Sequence, residues 1–235
     1  MSSVANTAMN DAAGAQDQGQ WVYRDAIAKP VQLRSEQSFL RFLDAAEALL
    51  DDRSWTALTI QDVVATADAS VGSFYNRFED KMALLHCLED RLGADFAAAI
   101  QAIVDECEHC DALLEDVDGL IVSLFMRLCL QRAGVIRALD LAQRLQLPLQ
   151  GSADAGEGFG GIGQVLDKAF AEFAGYLADK PDCLSGATGA ELHRALRETF
   201  WLTRENLLYG AAEPDMPGVH ASLRQHFFAS LRFPA

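Results

Sequence analysis

Residues 58–85 read LTIQDVVATADASVGSFYNRFEDKMALL, and this stretch decides the fold. Thr59 is a favourable N-cap, and the apolar residues that follow it at helical spacing predict a short helix that ends near Ala67. Ser70 is placed to cap a second short helix, Val71 to Phe78. Because three residues separate the two segments, the sequence predicts a helix-turn-helix, whose second helix can enter the major groove of DNA.

Longer helices flank this stretch on both sides. Ser35 is a suitable N-cap, and the apolar stripe after it predicts a supporting helix over residues 36–51. On the other side, the carboxylates of Glu79 and Asp80 favour the positive end of a long helix that continues past residue 100. The apolar stripe of that helix is Leu85, Leu88, Leu92, Phe96 and Ile100.

The rest of the chain also has helical periodicity. Apolar stripes predict helices over residues 112–130, over 133–146 and from Val165 to Leu177. They also predict a long helix that includes Leu192 and Leu207 and ends near Gly210, and a last helix from Val219 to Leu231. A Gly-rich stretch, residues 151–163, interrupts them. No window shows the alternation of a strand bounded by turns, so the predicted fold class is all-α.

Composition and charge restrict the function. Half of the 235 residues are apolar, and the net charge of −15 repels nucleic acid and anionic membranes, so any DNA contact has to be local. Even residues 29–81 hold six cations and nine acids, a net charge of −3. The apolar run from Leu120 to Met126 is far shorter than the roughly 20 residues of a membrane span. Without a secretory signal, and with an odd number of Cys, the chain is expected in the cytoplasm with reduced thiols.

One segment resembles a known family. The run GSFYNRFEDKMALL, residues 72–85, with RSEQSFLRFLDAAEALL before it, is similar to the DNA-binding domain of the TetR family of transcriptional regulators. Residues 1–20 are small and polar with almost no charge, which predicts a disordered tail, and the resemblance adds a basic arm with Arg24 and Lys29, so tail and arm together span residues 1–30. The resemblance also implies a three-helix DNA-binding domain over 31–81 and a helical effector-binding and dimerisation domain over 82–235.

The resemblance also assigns roles to residues of this segment. Thr59, Tyr75 and Lys81 would contact phosphates, and Gly72 would allow close approach to the groove. The residues that would read bases are Ser70, Val71, Ser73 and Asn76. Arg34 would extend the basic arm, whereas Phe74 and Phe78 would be core. Independently, helix N-termini suit phosphate oxygens, and Asn pairs best with adenine.

The C-terminal body would sense a small molecule and dimerise. By resemblance, residues 188–209 and 217–232 of two subunits would form a four-helix bundle. A symmetric dimer is also expected because its two reading helices would meet two half-sites about one DNA turn apart. The candidates for lining an effector pocket are Phe125, Met126, Cys129, Phe170, Phe173 and Trp201. The expected function is an operator-binding homodimer, a repressor released by an effector of unknown identity.

Alternatives remain open at this stage. The acidic first domain suits a helical interaction protein of the same fold that has lost DNA binding. Cys107, His109 and Cys110, with His86 and Cys87 earlier on the same helix, could instead bind a metal or be oxidised, although no complete ligand set is evident. We expect no metal, no cofactor and no enzymatic activity, because no nucleophile, base and orienting group occur at recognisable spacing.

A glycine motif gives no further function. Gly158, Gly160 and Gly163 spell G-x-G-x-x-G, but that motif requires a preceding strand, so it is expected to be a loop.

Overall fold

The structure is a computed structural model that describes residues 33–109, 116–145, 161–180, 184–210 and 214–232. Within these ranges the chain forms helices and connecting turns with no strand, which confirms the all-α prediction. The helices are α1 Leu33–Asp52, α2 Ile60–Thr66, α3 Val71–Tyr75, α4 Lys81–His109, α5 Val117–Gln131, α6 Ala133–Arg144, α7 Gly161–Ala178, α8 Gly189–Arg204 and α9 Met216–Arg232. A short 3₁₀ turn, Leu184–Gly186, precedes α8, and a π-helical turn, Glu205–Tyr209, continues it.

Helices α1 to α3 and the start of α4 form a compact headpiece around four phenylalanines. The ring of Phe78 lies 5.4 Å from that of Phe39, 5.8 Å from Phe42 and 5.0 Å from Phe74. All four side chains are buried, and edge-to-face and offset ring pairs of this kind are favourable. Phe74 and Phe78 therefore anchor α3 to α1 as core residues.

A second aromatic cluster fills the body formed by α4 to α9. Phe96 of α4, Phe125 of α5, Phe170 of α7 and Phe200 of α8 are all buried, and every pair of their rings is in contact. The centroids lie 5.2 to 6.2 Å apart. Helices from the middle and last thirds of the chain thus share one core.

The headpiece joins the body where α6 begins, against the end of α1. A Cβ atom on Gly134 would lie 2.5 Å from the carbonyl oxygen of Leu50, so only glycine fits this close approach. Beside it, Arg132 bonds to Glu47 of α1 at 2.7 Å and to Asp95 of α4. Backbone packing and ion pairs therefore hold α1, α4 and α6 together.

The ends of the first and third helices differ from the sequence prediction. Helix α1 begins at Leu33, so Ser35 lies inside the helix and is not its N-cap. Leu33 and Arg34, which both have high helix propensity, precede Ser35 within the helix. Helix α3 ends at Tyr75 with Asn76 as its C-cap, three residues before the expected end, because the chain turns there to bury Phe78.

The glycine motif was also partly misassigned. Helix α7 begins at Gly161, so Gly163 is helical and not part of a loop. A helix tolerates glycine at about 1 kcal/mol per residue when its remaining turns are well packed. Gly158 and Gly160 lie outside the described residues, as do Arg24, Lys29 and the whole predicted tail.

Within the described ranges, no single helix is long and apolar enough to cross a membrane. Helices α5 and α6 reach the required length and hydropathy only as a pair, and they are bent by 80° where they meet.

Candidate nucleic-acid interface

Helix α2 begins with a complete capping box between Thr59 and Asp62. The amide of Asp62 donates to the Thr59 hydroxyl at 3.1 Å, and the amide and hydroxyl of Thr59 donate to the Asp62 carboxylate at 3.1 and 2.6 Å. Arg53 pairs with the same carboxylate at 3.0 Å. These hydrogen bonds lower the pKa of Asp62, the Thr59 hydroxyl being the largest cause. The two Thr59 groups expected to meet a phosphate are therefore bonded within the free chain.

A tight turn links α2 to α3. Asp68 adopts the left-handed conformation with φ of 48°, which reverses the chain within the expected three residues. Ser70 then caps α3, since its hydroxyl accepts the amide of Ser73 at 3.0 Å. The predicted helix-turn-helix is thus formed, with both predicted N-caps in place.

One face of α3 is open to solvent. Val71 is 41% exposed and Tyr75, one turn later, is 54% exposed, although their neighbour Phe74 is fully buried. Ser70, Gly72 and Asn76 are also exposed. A Cβ atom on Gly72 would meet only the Ser70 hydroxyl, at 3.9 Å, so packing within the chain does not require glycine there. Of the predicted base-reading residues, Ser70, Val71 and Asn76 are therefore accessible and Ser73 is half-buried.

Arg77 occupies hydrogen-bonding groups of Ser73 that would otherwise be available to a base. Its Nη1 donates to the carbonyl oxygen of Ser73 at 3.0 Å and approaches the hydroxyl at 3.2 Å. The only cation between residues 67 and 78 is therefore directed back at its own helix.

Lys81, the first residue of α4, supports the loop between α1 and α2. Its Nζ donates to the carbonyl oxygens of Trp55 and Leu58, at 2.7 Å each, and lies 4.2 Å from the centre of the Trp55 ring. Burial lowers the pKa of this half-buried ammonium group. An ammonium has three N–H donors, so one remains for a phosphate. Asp80 caps the same helix through the amide of Ala83 at 2.8 Å.

The remaining predicted DNA contact is placed differently. Arg34 belongs to the first turn of α1, within the headpiece and not in an arm before it.

Of the residues predicted to line an effector pocket, all but Met126 lie in or against the main core of the body; Met126 packs in a second apolar cluster with Val122 and Leu223. Five of them are buried and Trp201 is half-buried, and the rings of Phe125 and Phe170 are in contact at 5.6 Å. They pack as core in this structure, and their role in binding an effector stays a prediction. Burial raises the pKa of the Cys129 thiol to about 12.

The possible metal or redox residues are only partly described. Cys107 is buried near the end of α4, His109 is the last residue of that helix, and Cys110 lies outside the described residues. In the part of the chain that the structure describes, no three His, Cys, Asp or Glu side chains are placed to hold a metal.

Comparisons with known proteins agree with this geometry. Residues 42–88 match the family model described as bacterial regulatory proteins of the tetR family. A Mesorhizobium loti protein assigned to the same family of regulators has a similar fold, with a TM-score of 0.53 and 17% identity over 86% of this chain and 96% of that one. The chain matches none of the curated proteins.

Two further structures are similar at lower scores. The TetR-family repressor AlkX of Dietzia sp., implicated in biodegradation of n-alkanes, has a TM-score of 0.44 and 20% identity over 85% of this chain and 97% of that one. A TetR transcriptional regulator of Rhodococcus sp. has a TM-score of 0.49 and 18% identity over 86% of this chain and 100% of that one.

The fold and its exposed third helix define a helix-turn-helix protein. The match of residues 42–88 to the family model of the tetR regulators confirms the resemblance found in the sequence. Sequence reasoning missed Asp62 and Arg77, although a T-x-x-D pattern and an i, i+4 spacing were available as signals. It could not find the partners of Lys81, which lie 26 and 23 residues away in sequence.

Proposed function

We propose that this protein is a transcriptional repressor that binds operator DNA as a homodimer and leaves it when a small-molecule effector binds its body. The single observation that carries the DNA-binding part is the exposed surface of α3, where Val71, Tyr75 and Asn76 are accessible while Phe74 and Phe78 are buried. Buried rings fix the position of α3 and leave the adjacent polar groups free to meet a duplex.

Tyr75 and Lys81 would bind the sugar–phosphate backbone on either side of the bases that α3 reads. The Tyr75 hydroxyl extends from a half-exposed ring, and Lys81 is held at the start of α4 with one donor available. Thr59 would bind a phosphate only if the phosphate replaced the Asp62 carboxylate as its hydrogen-bond acceptor. We therefore assign Thr59 a smaller contribution to DNA affinity than Tyr75 and Lys81.

The direct test is fluorescence anisotropy with the promoter upstream of the protein's own gene, at low and moderate salt. Tyr75→Phe removes one hydroxyl while keeping the ring that contacts Phe74 at 5.5 Å. We expect it to weaken binding about fivefold, the size of one hydrogen bond. Tyr176→Phe, on α7 in the body, is the matched control, since its hydroxyl is 3.5 Å from the Val104 carbonyl oxygen, and it should leave DNA binding unchanged. If the wild-type protein caused no change in anisotropy of the promoter duplex at either salt concentration, the alternative of an interaction protein that has lost DNA binding would replace this proposal.

The homodimer would form through α8 and α9, which pack against each other. The apolar residues Leu223 and Phe227 of α9 are buried within the subunit, but Phe228 is 38% exposed. An exposed aromatic ring on this helix is suited to the core of an interface between two copies.

The effector would bind within α4 to α8 and favour a subunit arrangement that no longer fits both half-sites. It lowers DNA affinity only by the difference between its affinities for the two arrangements. The contacts that link the body to α1 are Gly134 against Leu50 and Arg132 against Glu47. A screen of small molecules for loss of anisotropy from the protein–promoter complex tests this part separately.

A further inference from the structure

The reading surface of α3 lacks the group that most often recognises guanine. Arginine or lysine bound bidentately to guanine O6 and N7 is the commonest specific base contact in the major groove. Arg77 is the only cation between residues 67 and 78, and its Nη1 is bonded to the Ser73 carbonyl oxygen at 3.0 Å. Lys81, the next cation, is directed at the carbonyl oxygens of Trp55 and Leu58. Helix α3 therefore does not present a cation for a guanine.

Helix α3 instead presents a branched apolar side chain at its first residue. Val71 is 41% exposed, and the space beside it is open because a Cβ on Gly72 would meet nothing closer than 3.9 Å. The apolar group that base pairs display in the major groove is the 5-methyl of thymine. Val71 is thus placed to pack against a thymine methyl and to gain from its burial.

Asn76 supplies the second part of the surface. It is the exposed C-cap of α3, where its backbone amide bonds to Gly72 and its side chain is accessible. A carboxamide can bond simultaneously to N6 and N7 of adenine. Both accessible groups therefore match the two partners of an A·T pair, and neither is specific for guanine.

We propose that this protein reads its operator half-site at A·T base pairs, with Val71 packed against thymine 5-methyl groups and the Asn76 carboxamide bonded to adenine. This inference rests on the proposed function, because it specifies the duplex that the same surface of α3 binds. It assigns sequence selection to two side chains and leaves Tyr75 and Lys81 to bind the backbone.

The test begins with selection of bound duplexes from a random library, which gives a site whatever its sequence. Each thymidine of that site is then replaced by deoxyuridine, which pairs identically but lacks the methyl group. For wild-type protein we expect about fourfold weaker binding at each contacted position, the value of one buried methyl group. Val71→Ala should bind the thymidine and deoxyuridine duplexes equally.

A matched control separates this contact from general destabilisation. Leu130 of α5 is an exposed aliphatic residue outside the headpiece, and Leu130→Ala should keep the wild-type ratio between the two duplexes. For adenine, 7-deazaadenine removes the N7 acceptor and should weaken wild-type binding but not Asn76→Ala binding.

The outcomes are distinguishable. Tight binding that is insensitive to every deoxyuridine substitution, or a Val71→Ala protein that retains the wild-type ratio, would overturn this inference and leave the proposed function intact. Failure to select any duplex would overturn the proposed function and this inference with it.

Discussion

Asp68 holds the turn of the helix-turn-helix in a conformation that favours glycine, with φ of 48°. Its side chain is exposed, so glycine would remove the steric cost without losing a buried contact. We predict that Asp68→Gly raises the free energy of unfolding by about 0.5 kcal/mol. Urea denaturation followed by circular dichroism measures this change.

The control is Ala65→Gly, at an exposed helical position of α2 three residues earlier. It should lower the free energy of unfolding by about 1 kcal/mol, because glycine is unfavourable in a helix. If Asp68→Gly also destabilised the protein, the prediction that its left-handed conformation carries a steric cost, which glycine removes, would be wrong.

Two capping boxes make stability depend on pH in a defined direction. Hydrogen bonds from Thr59 and Thr188 lower the pKa of Asp62 and Glu191, respectively. A lowered pKa means that the unfolded state binds the proton more readily, so the stabilisation is complete above the unfolded-state pKa values, near 3.8 and 4.5. It is lost as the pH falls through the lower folded-state values.

We therefore expect Glu191→Ala to destabilise the protein at pH 6 and to have progressively less effect as the pH falls below about 4. Urea unfolding over this pH range is the measurement. Glu198→Ala, an exposed carboxylate on the same helix α8, controls for the loss of a negative charge. A Glu191→Ala effect of constant size from pH 6 to pH 3 would contradict the assignment.

Single residues could be predicted from the sequence where their partners are near in the chain. Thr59 and Ser70 were found as N-caps, because a cap bonds to an amide three residues later. Lys81 could be assigned only a phosphate by resemblance, whereas its bonds to Trp55 and Leu58 depend on how α4 packs against the preceding loop. Long-range contacts of this kind leave no local pattern.

At the scale of elements, the order and type of the helices followed from apolar periodicity, but their ends did not. The C-terminus of α3 is determined by the burial of Phe78 against Phe39 and Phe42. That burial is tertiary, and it ends the helix at Tyr75 although the periodicity continues. The junction of α6 with α1 could not be predicted from the sequence either, since Gly134 packs against Leu50, which lies 84 residues earlier in the chain.

Gly134 provides a test of that junction. A methyl group in Gly134→Ala would lie 2.5 Å from the Leu50 carbonyl oxygen, so the two helices must separate. We predict a loss of about 1–3 kcal/mol in the free energy of unfolding, the usual range for overpacking. Thermal or urea denaturation measures it.

Gly175 of α7 is the matched control, because a Cβ there meets nothing within 4 Å. Gly175→Ala should stabilise the protein by up to about 1 kcal/mol through helix propensity alone. Equal effects of the two substitutions would show that the approach of α6 to α1 is looser than the structure indicates.

At the scale of the whole molecule, the proposed dimer depends on the outer surface of α9. We predict that Phe228→Glu shifts the protein towards monomer, because it places a charge in the centre of an apolar interface. Sedimentation velocity over a concentration series measures the shift. Leu145→Glu, at an exposed site that follows α6, should leave the association unchanged, and a monomeric wild type would rule out the proposed interface.

The candidate effector site was the least predictable feature, because it depends on how several helices pack. The sequence indicated which residues of the body were apolar, including Phe125, Phe170 and Phe173, and these are buried. It could not distinguish a wall of a cavity from a filled core. The mutual contact of Phe125 and Phe170 with Phe96 and Phe200 arises only from the packing of four helices.

The acidity of the molecule limits how DNA binding can depend on salt. The protein has a net charge of −15, Arg53 is paired with Asp62 and Arg77 is bonded to Ser73, which leaves few cations to displace counterions from DNA. With about one or two phosphates neutralised per subunit, a dimer should give a slope of log Kobs against log[salt] between about −2 and −4.

Lys81→Gln should reduce the magnitude of that slope by about 2, one phosphate for each subunit. Lys168→Gln, at an exposed position of α7 in the body, should not change it, although both variants alter the net charge equally. Anisotropy titrations from 50 to 200 mM salt, about the range over which counterion release is usually measured, give both slopes. Because both variants remove one positive charge for each subunit, equal slopes would mean that Lys81 only supports the loop between α1 and α2 and does not contact a phosphate.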